Sequence, residues 1–209
     1  MEILSVRDLT FGYPDCPVLE HFSCAFAQGR IVRLEGKNGA GKTTLLKCLT
    51  ALVNQGKCVF YKGKEIFQSK ELLSEFSYVM SEDTLYDYLT IDENVAFYRG
   101  LFGAGGEFSD EVFRILRELD CERYRGFLVK NLSQGTRSKI YMAICLAKNA
   151  EIYLLDEPFT ALDLFSQNYF RAYIQKLNQE KQKTVILVTH IEDFKTIASE
   201  TIVLEKREV

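Results

Sequence analysis

The chain has little that would tie it to a membrane, a metal or a nucleic acid. Among its 209 residues no apolar run approaches the roughly 18–20 residues needed to cross a bilayer. The first residues, Met1-Glu2-Ile3-Leu4-Ser5, lack the charged-then-apolar pattern of a signal peptide, so a cytosolic protein is expected. If it serves a membrane process, another chain must supply the membrane part. Positive charge is not in excess: 26 Lys and Arg stand against 29 Asp and Glu, a net charge of −3. That gives no electrostatic footing for non-specific nucleic-acid binding. No two of the cysteines Cys16, Cys24, Cys48, Cys58, Cys121 and Cys145 form a C-x-x-C pair. Neutral or buried thiols in a reducing compartment are expected, not a metal site or a disulfide framework. Internal repeats and low-complexity stretches are also missing. With 47% apolar and 26% charged residues and only 3 prolines, the composition is that of an ordinary globular protein of one substantial domain.

What the chain does have is Gly36-Lys37-Asn38-Gly39-Ala40-Gly41-Lys42-Thr43, a complete phosphate-binding loop of the form G-x-x-x-x-G-K-[ST]. Its glycines let backbone N–H groups turn inward around a polyphosphate. Lys42 supplies a point charge to the β- and γ-phosphates, and Thr43 offers its hydroxyl to Mg²⁺. The apolar run Ile31–Glu35 before the loop reads as a strand. The segment from Thr44 onward reads as a helix whose positive dipole end faces the phosphates.

Ile3 to Phe26 reads as short strands with a turn at Tyr13-Pro14-Asp15, and Lys57–Tyr61 and Glu65–Phe67 as strands around Lys62-Gly63-Lys64. Residues 92 to 127 have a helical pattern, with Val112, Phe113, Ile115, Leu116 and Leu119 at helical spacing after a Gly103–Gly106 break. Helices are then expected over Ser133–Ala147 and about Phe165–Gln179, and buried strands over Ile152–Leu155 and Val185–Val188. Strand–helix alternation with continuously apolar strands argues for an α/β fold with a mainly parallel sheet, whose ligands bind at the carboxyl ends of the strands.

Two of those strand ends carry chemistry. Asp156-Glu157-Pro158 follows the Ile152–Leu155 strand: Asp156 suits a Mg²⁺ ion, and Glu157 can polarise an attacking water. Thr189-His190 follows the next strand, where His190 can donate to a γ-phosphate. Upstream, Leu132-Ser133-Gln134-Gly135-Thr136 puts Ser133 at a helix N-terminus, as a cap and as part of a second anion site. One chain does not readily bring both anion sites to a single nucleotide; two chains placed head to tail do.

In their order, the phosphate loop, Leu-Ser-x-Gly, the strand with Asp-Glu-Pro, Ala161-Leu162-Asp163 and a strand ending in His190 resemble the ATP-binding subunit of an ABC transporter, from about Val6 to Glu205. The resemblance implies a P-loop NTPase fold with an N-terminal antiparallel β subdomain and a small α-helical subdomain at about 75–130, all within a single ATP-binding domain. It implies Mg-ATP as substrate, with Tyr13 stacking on adenine and Gly36 to Thr44 holding the phosphates. It implies Thr43 and Asp156 at the metal, and Glu157, His190 and Lys42 as the catalytic groups. Ser133 and Gly135 would close over ATP held by a second subunit, identical or related, and the Asp163 loop would cross the dimer interface. An integral membrane permease is the implied partner and the cytoplasmic face of the membrane the implied location. The short C-terminal part and the Asp156–Asp163 run lean the resemblance toward export.

Two departures accompany it. Gln134 and Thr136 replace Gly and Gln of the usual signature, and Ser81 stands where the family usually has a Gln that reaches Mg²⁺ and the attacking water. Ser81 implies slower or differently coupled turnover, which keeps a low-turnover nucleotide-binding module as an alternative; intact Glu157 and His190 argue against it. A soluble ABC-type ATPase on a cytosolic machine is the other alternative, opposed by the lack of coiled-coil or basic insertions. The aromatics Phe76, Tyr78, Tyr86, Tyr88, Phe97, Tyr98, Phe102 and Phe108 cluster in one stretch. They are expected either to receive the permease, with Tyr86 and Tyr88 foremost, or to form the helical subdomain's core.

Overall fold

The computed structural model of the chain describes residues 1–14, 16–54 and 56–205, and only the backbone of Lys70. The chain forms two compact units. The first comprises Met1–Tyr78, Ala150–Asp156 and the chain from Ile174 onward; the second comprises Val79–Asn149 and Glu157–Tyr173.

The first unit begins with β1 (Glu2–Tyr13) and β2 (Cys16–Ala27), two strands of 12 residues each where short strands are expected from the sequence. They stay continuous because register shifts, as between Val6 and Leu9, bend them without ending the pairing. Asp8 (φ 51°) and His21 (φ 48°) take left-handed backbone there, and His21 Nδ1 lies 2.7 Å from the Asp8 carboxylate. Asp15, part of the expected turn, lies outside the described residues. With β4 (Val59–Tyr61) and β5 (Lys64–Glu65) these strands make an antiparallel sheet in the order β2-β1-β4-β5. The two later strands are shorter than the sequence suggests.

A second sheet runs in the order β6-β7-β8-β3-β9. Its members are β3 (Ile31–Glu35), β6 (Phe76–Val79), β7 (Ile152–Asp156), β8 (Thr184–Val188) and β9 (Glu200–Val203). β7 pairs parallel with β8, and β3 parallel with both β8 and β9. Every residue of β7 and β8 is buried, which is why they read as unbroken apolar runs and not as alternation. Helix α1 (Lys42–Leu49) follows β3 directly, burying Leu45, Leu46, Cys48 and Leu49 in the core shared with Ile3, Leu4, Phe26 and Ile186.

The second unit holds α2 (Ile91–Leu101), α3 (Gly106–Glu118) and α4 (Gln134–Ala147). Thr90 opens α2 with a capping box: its hydroxyl accepts from Glu93 N, and Glu93 accepts from Thr90 N. Such caps contribute about 1 kcal/mol. α3 buries Phe108, Val112, Ile115 and Leu116 along one face. α4 is buried from Ile140 to Leu146, and α5 (Leu164–Lys181) begins in this unit. Among the described residues no helix is long and apolar enough to cross a membrane, and no cluster of His, Cys, Asp and Glu could hold a metal. All six cysteines are free, with Cys48, Cys121 and Cys145 buried.

Candidate functional site

Parallel pairing puts the carboxyl ends of β3, β7 and β8 at one edge of the sheet, where ligands of open α/β sheets bind. The glycine-rich loop leaves β3 at this edge. Asp156 is the last residue of β7, level with Val188 of β8, and Thr189-His190 continue from there.

The loop needs its glycines for two different reasons. At Gly36 a side chain has no room: a Cβ would lie 2.5 Å from the Leu204 carbonyl oxygen and 3.0 Å from Ala40 Cβ. Gly41 caps α1 in left-handed backbone (φ 94°), which only glycine adopts without strain. The loop is closed by an Ala40 N–H bond to Lys37 O of 3.0 Å. Lys42 Nζ donates to Gly36 O (2.7 Å) and Lys37 O (3.3 Å), which holds the ammonium against the loop. Lys37, Asn38 and Gly39 are exposed, whereas Thr44, in the first turn of α1, is buried at 8% exposure.

Thr43 Oγ1 donates to Asp156 Oδ1 at 3.1 Å. Tyr78, on β6, donates to the other oxygen, Oδ2, also at 3.1 Å. Asp156 is only 2% exposed. Burial pushes its carboxyl above the ordinary range, while the Thr43 and Tyr78 hydrogen bonds and the charges of Lys47 and Lys42 pull against that. Burial, and then the Asp156 charge, push the Tyr78 phenol far up, so it stays protonated and donates. Tyr78 is the residue that sequence reasoning placed wrongly, as one aromatic among eight. The signal for it is faint: a tyrosine two positions after Phe76 on the same strand face. The oxygen donors of Thr43 and Asp156 are the hard set that Mg²⁺ takes together with phosphates.

Glu157 comes next in the chain, half-buried and with left-handed backbone (φ 52°), a conformation a non-glycine residue rarely holds without cause. Its carbonyl accepts from Thr160 Oγ1 at 3.2 Å. His190 is exposed, and Thr189 Oγ1 accepts from Ile191 N at 3.1 Å, turning the chain just past it. Tyr13 is 44% exposed and meets Phe11 edge-on, with centroids 5.5 Å apart.

In the second unit Ser133 caps α4, accepting from Thr136 N at 3.2 Å, and Thr136 Oγ1 lies 2.9 Å from Ser133 Oγ. Gly135 packs onto the segment bearing Asp163: a Cβ there would lie 3.0 Å from the Ala161 carbonyl oxygen. Asp163 accepts from Ser166 N (2.8 Å) and from Lys139 Nζ (2.6 Å). Those two partners, Lys139 first, pull its carboxyl down to about 2. Arg137 donates from Nε and Nη2 to Asp83 and from Nη1 to Asp87, tying the start of α4 to residues 83–87. Fully buried Asn94 bonds Tyr86 N, Tyr86 O and Thr90 O, so that Tyr86 (49% exposed) and Tyr88 (77%) stand outward. Neither Arg137 nor Asn94 belongs to a motif. Of the clustered aromatics, Phe76, Tyr98 and Phe108 are buried, Tyr78 meets Asp156, and Tyr86, Tyr88 and Phe97 are exposed.

The sequence profile of the family described as "ABC transporter" matches residues 19–160. The chain is 31% identical over 198 residues to the iron(3+)-hydroxamate import ATP-binding protein FhuC of Bacillus subtilis (strain 168), covering 91% of this chain and 74% of that one. It is 28% identical over 209 residues to the SkfA peptide export ATP-binding protein SkfE of the same organism, covering 98% and 85%. A solved structure described as an ATP-binding subunit of an ABC transporter superposes with a TM-score of 0.89 at 25% identity, over 99% of this chain and 88% of that one. A dimeric ATP-binding cassette in a post-hydrolysis state bound to ADP and Pi shares the fold, with a TM-score of 0.84 at 23% identity over 99% and 97% of the two chains.

Proposed function

The chain belongs to the ABC transporter family as an ATP-binding and ATP-hydrolysing subunit, and we propose that it takes Mg-ATP on the Gly36–Thr43 loop, pairs head to tail with a second such subunit, and powers a separate membrane permease from its cytoplasmic face. The observation that carries this reading is the Thr43–Asp156 bond, which brings the hydroxyl that ends the loop and the acid that ends β7 to one point.

In this reading the loop N–H groups and Lys42 bind the phosphates. Thr43 and Asp156 would hold Mg²⁺, which would supply positive charge to offset that of the phosphates. Glu157 accepts the proton of the attacking water, and His190 donates a hydrogen bond to the γ-phosphate. Tyr13, partly exposed in the same unit as the loop, stacks on adenine. Ser133 and the first N–H groups of α4 serve the nucleotide held by the second subunit, and the Asp163 segment runs along the interface. The whole chain acts as one ATP-binding domain. The outward Tyr86 and Tyr88 are the contact offered to the permease. Relatives named for import and relatives named for export match over similar spans, so they lend nothing to the leaning toward export.

Glu157→Gln tests the reading. Turnover should fall by about 10²–10⁴-fold, the usual contribution of a general base. The variant should also elute as a dimer when ATP is present and as a monomer when it is not. A variant that keeps full turnover, or never dimerises with ATP, overturns it.

A further inference from the structure

The carboxylate of Asp156 is shut off from water, and each of its oxygens meets one hydroxyl: Thr43 on Oδ1 and Tyr78 on Oδ2. We propose that Tyr78 is a positioning residue for the metal-binding carboxylate, its hydroxyl fixing Oδ2 so that Oδ1 stays aimed at Thr43 and at the metal of bound Mg-ATP. This rests on the reading of Asp156 as the acid at the metal.

Three observations carry it. The terminal torsion of an aspartate is broad and roughly two-fold, so a carboxylate held at one oxygen alone can turn. The Thr43 hydroxyl donates its one proton to Oδ1 and keeps its lone pairs for the metal, so it holds a single oxygen and leaves Oδ2 to another partner. Second, Tyr78 is well placed to be the fixed partner. Its strand β6 lies beside β7 in the sheet, and its ring packs against the core cluster of the first unit. Third, packing alone does not call for the hydroxyl. Two residues earlier on the same strand face, Phe76 fills a buried position with a bare ring. At position 78 the added oxygen reaches the one carboxylate that ends β7. Partners of this kind, behind a metal ligand, orient it and typically carry a 10–100-fold effect on metal affinity.

The test compares the parent chain, Tyr78→Phe and Asp156→Asn, with Mn²⁺ as a paramagnetic probe titrated in the presence of ADP and followed by electron paramagnetic resonance. Asp156→Asn should lose most of the protein-dependent Mn²⁺ signal. Tyr78→Phe should weaken Mn²⁺ about 10–100-fold while ADP affinity in EDTA stays within about twofold of the parent. Saturating metal should then restore much of its ATP turnover. If Asp156→Asn weakens Mn²⁺ and Tyr78→Phe does not, the tyrosine assignment falls and the metal reading stands. If neither variant changes Mn²⁺ binding, both fall. If Tyr78→Phe weakens ADP equally with and without metal, the residue supports packing only, and the proposal is overturned.

Discussion

Thr43 and Asp156 stand 113 residues apart in the chain and share a hydrogen bond of 3.1 Å. The first residues of α1 and the last residue of β7 meet only because the parallel sheet sets β3 and β7 on either side of β8 with their carboxyl ends level. The hydroxyl donor and the buried acceptor are thus part of the fold itself, made as the sheet is made.

That acid carries a cost. Burial raises the Asp156 pKa, and a carboxyl raised on folding favours the native state below its unfolded pKa and loses that contribution as pH rises through the folded value. At neutral pH, Asp156→Asn should therefore raise the melting temperature of the nucleotide-free chain, by about 2–4 °C for each 1 kcal/mol relieved. The same variant should lose the metal-dependent part of the further stabilisation that Mg-ATP gives the parent. Differential scanning fluorimetry with and without Mg-ATP measures both, and an unchanged or lower melting temperature without nucleotide would count against this account of burial.

The Arg137 fork reaches Asp83 and Asp87 from a half-buried position, with Asp83 itself only 14% exposed at its side chain. Lysine has the charge but not the planar fork. Arg137→Lys should lose up to about 1.5–3 kcal/mol of stability, the range for hydrogen bonds to charged groups. Urea denaturation reads this directly, and a lysine variant as stable as the parent would mean that charge alone suffices.

Asp163 gives a pH signature with the opposite sign. Lys139, and then the Ser166 N–H, lower its carboxyl from 3.8 to about 2. A lowered acid contributes stability fully above its ordinary pKa and loses it as pH falls toward the folded value. The stability gap between the parent and Asp163→Asn should be constant at mildly acidic to neutral pH and shrink between about pH 4 and pH 2. The side chain is more than half exposed, so the gap is small. Denaturation curves across that window check it; a gap that widens toward low pH would contradict the pairing.

Gly36 tolerates no side chain, because the Leu204 carbonyl it faces is held in place: Leu204 N donates to Glu35 O at 2.7 Å. Gly36→Ala should cost about 1–3 kcal/mol by crowding and weaken ATP. Both are measurable as a lower melting temperature and a smaller shift on adding nucleotide.

Much of this was legible in the sequence because the signals are local. The glycines of the phosphate loop, the Ser133 cap ahead of α4 and the apolar runs of β7 and β8 each declare themselves within a few residues. Strand β9 does not: Glu-Thr-Ile-Val is half polar and becomes a strand only through its ladder with β3. Helix α3 starts at Gly106, inside the Gly103–Gly106 stretch that reads as a break and ahead of the helical spacing that begins at Val112, because glycine and glutamate open it without periodic apolar spacing. The Tyr78–Asp156 and Arg137–Asp83 bonds join residues 78 and 54 positions apart, a relation that no local pattern carries. The aromatic cluster between Phe76 and Phe108 reads as one feature in sequence and divides in space into core, site and surface.

The left-handed backbone at Glu157 bears on how an arrested form of this protein should be made. Glutamine removes the negative charge but leaves the main chain in a conformation that costs a non-glycine residue roughly 1–3 kcal/mol. Asparagine, which enters that conformation more readily, removes the charge and eases the main chain together. Of two equally inactive proteins, the asparagine form should thus be the sturdier. The difference in their unfolding energies would be a direct gauge of the tension the native chain sustains to keep a glutamate beside Asp156.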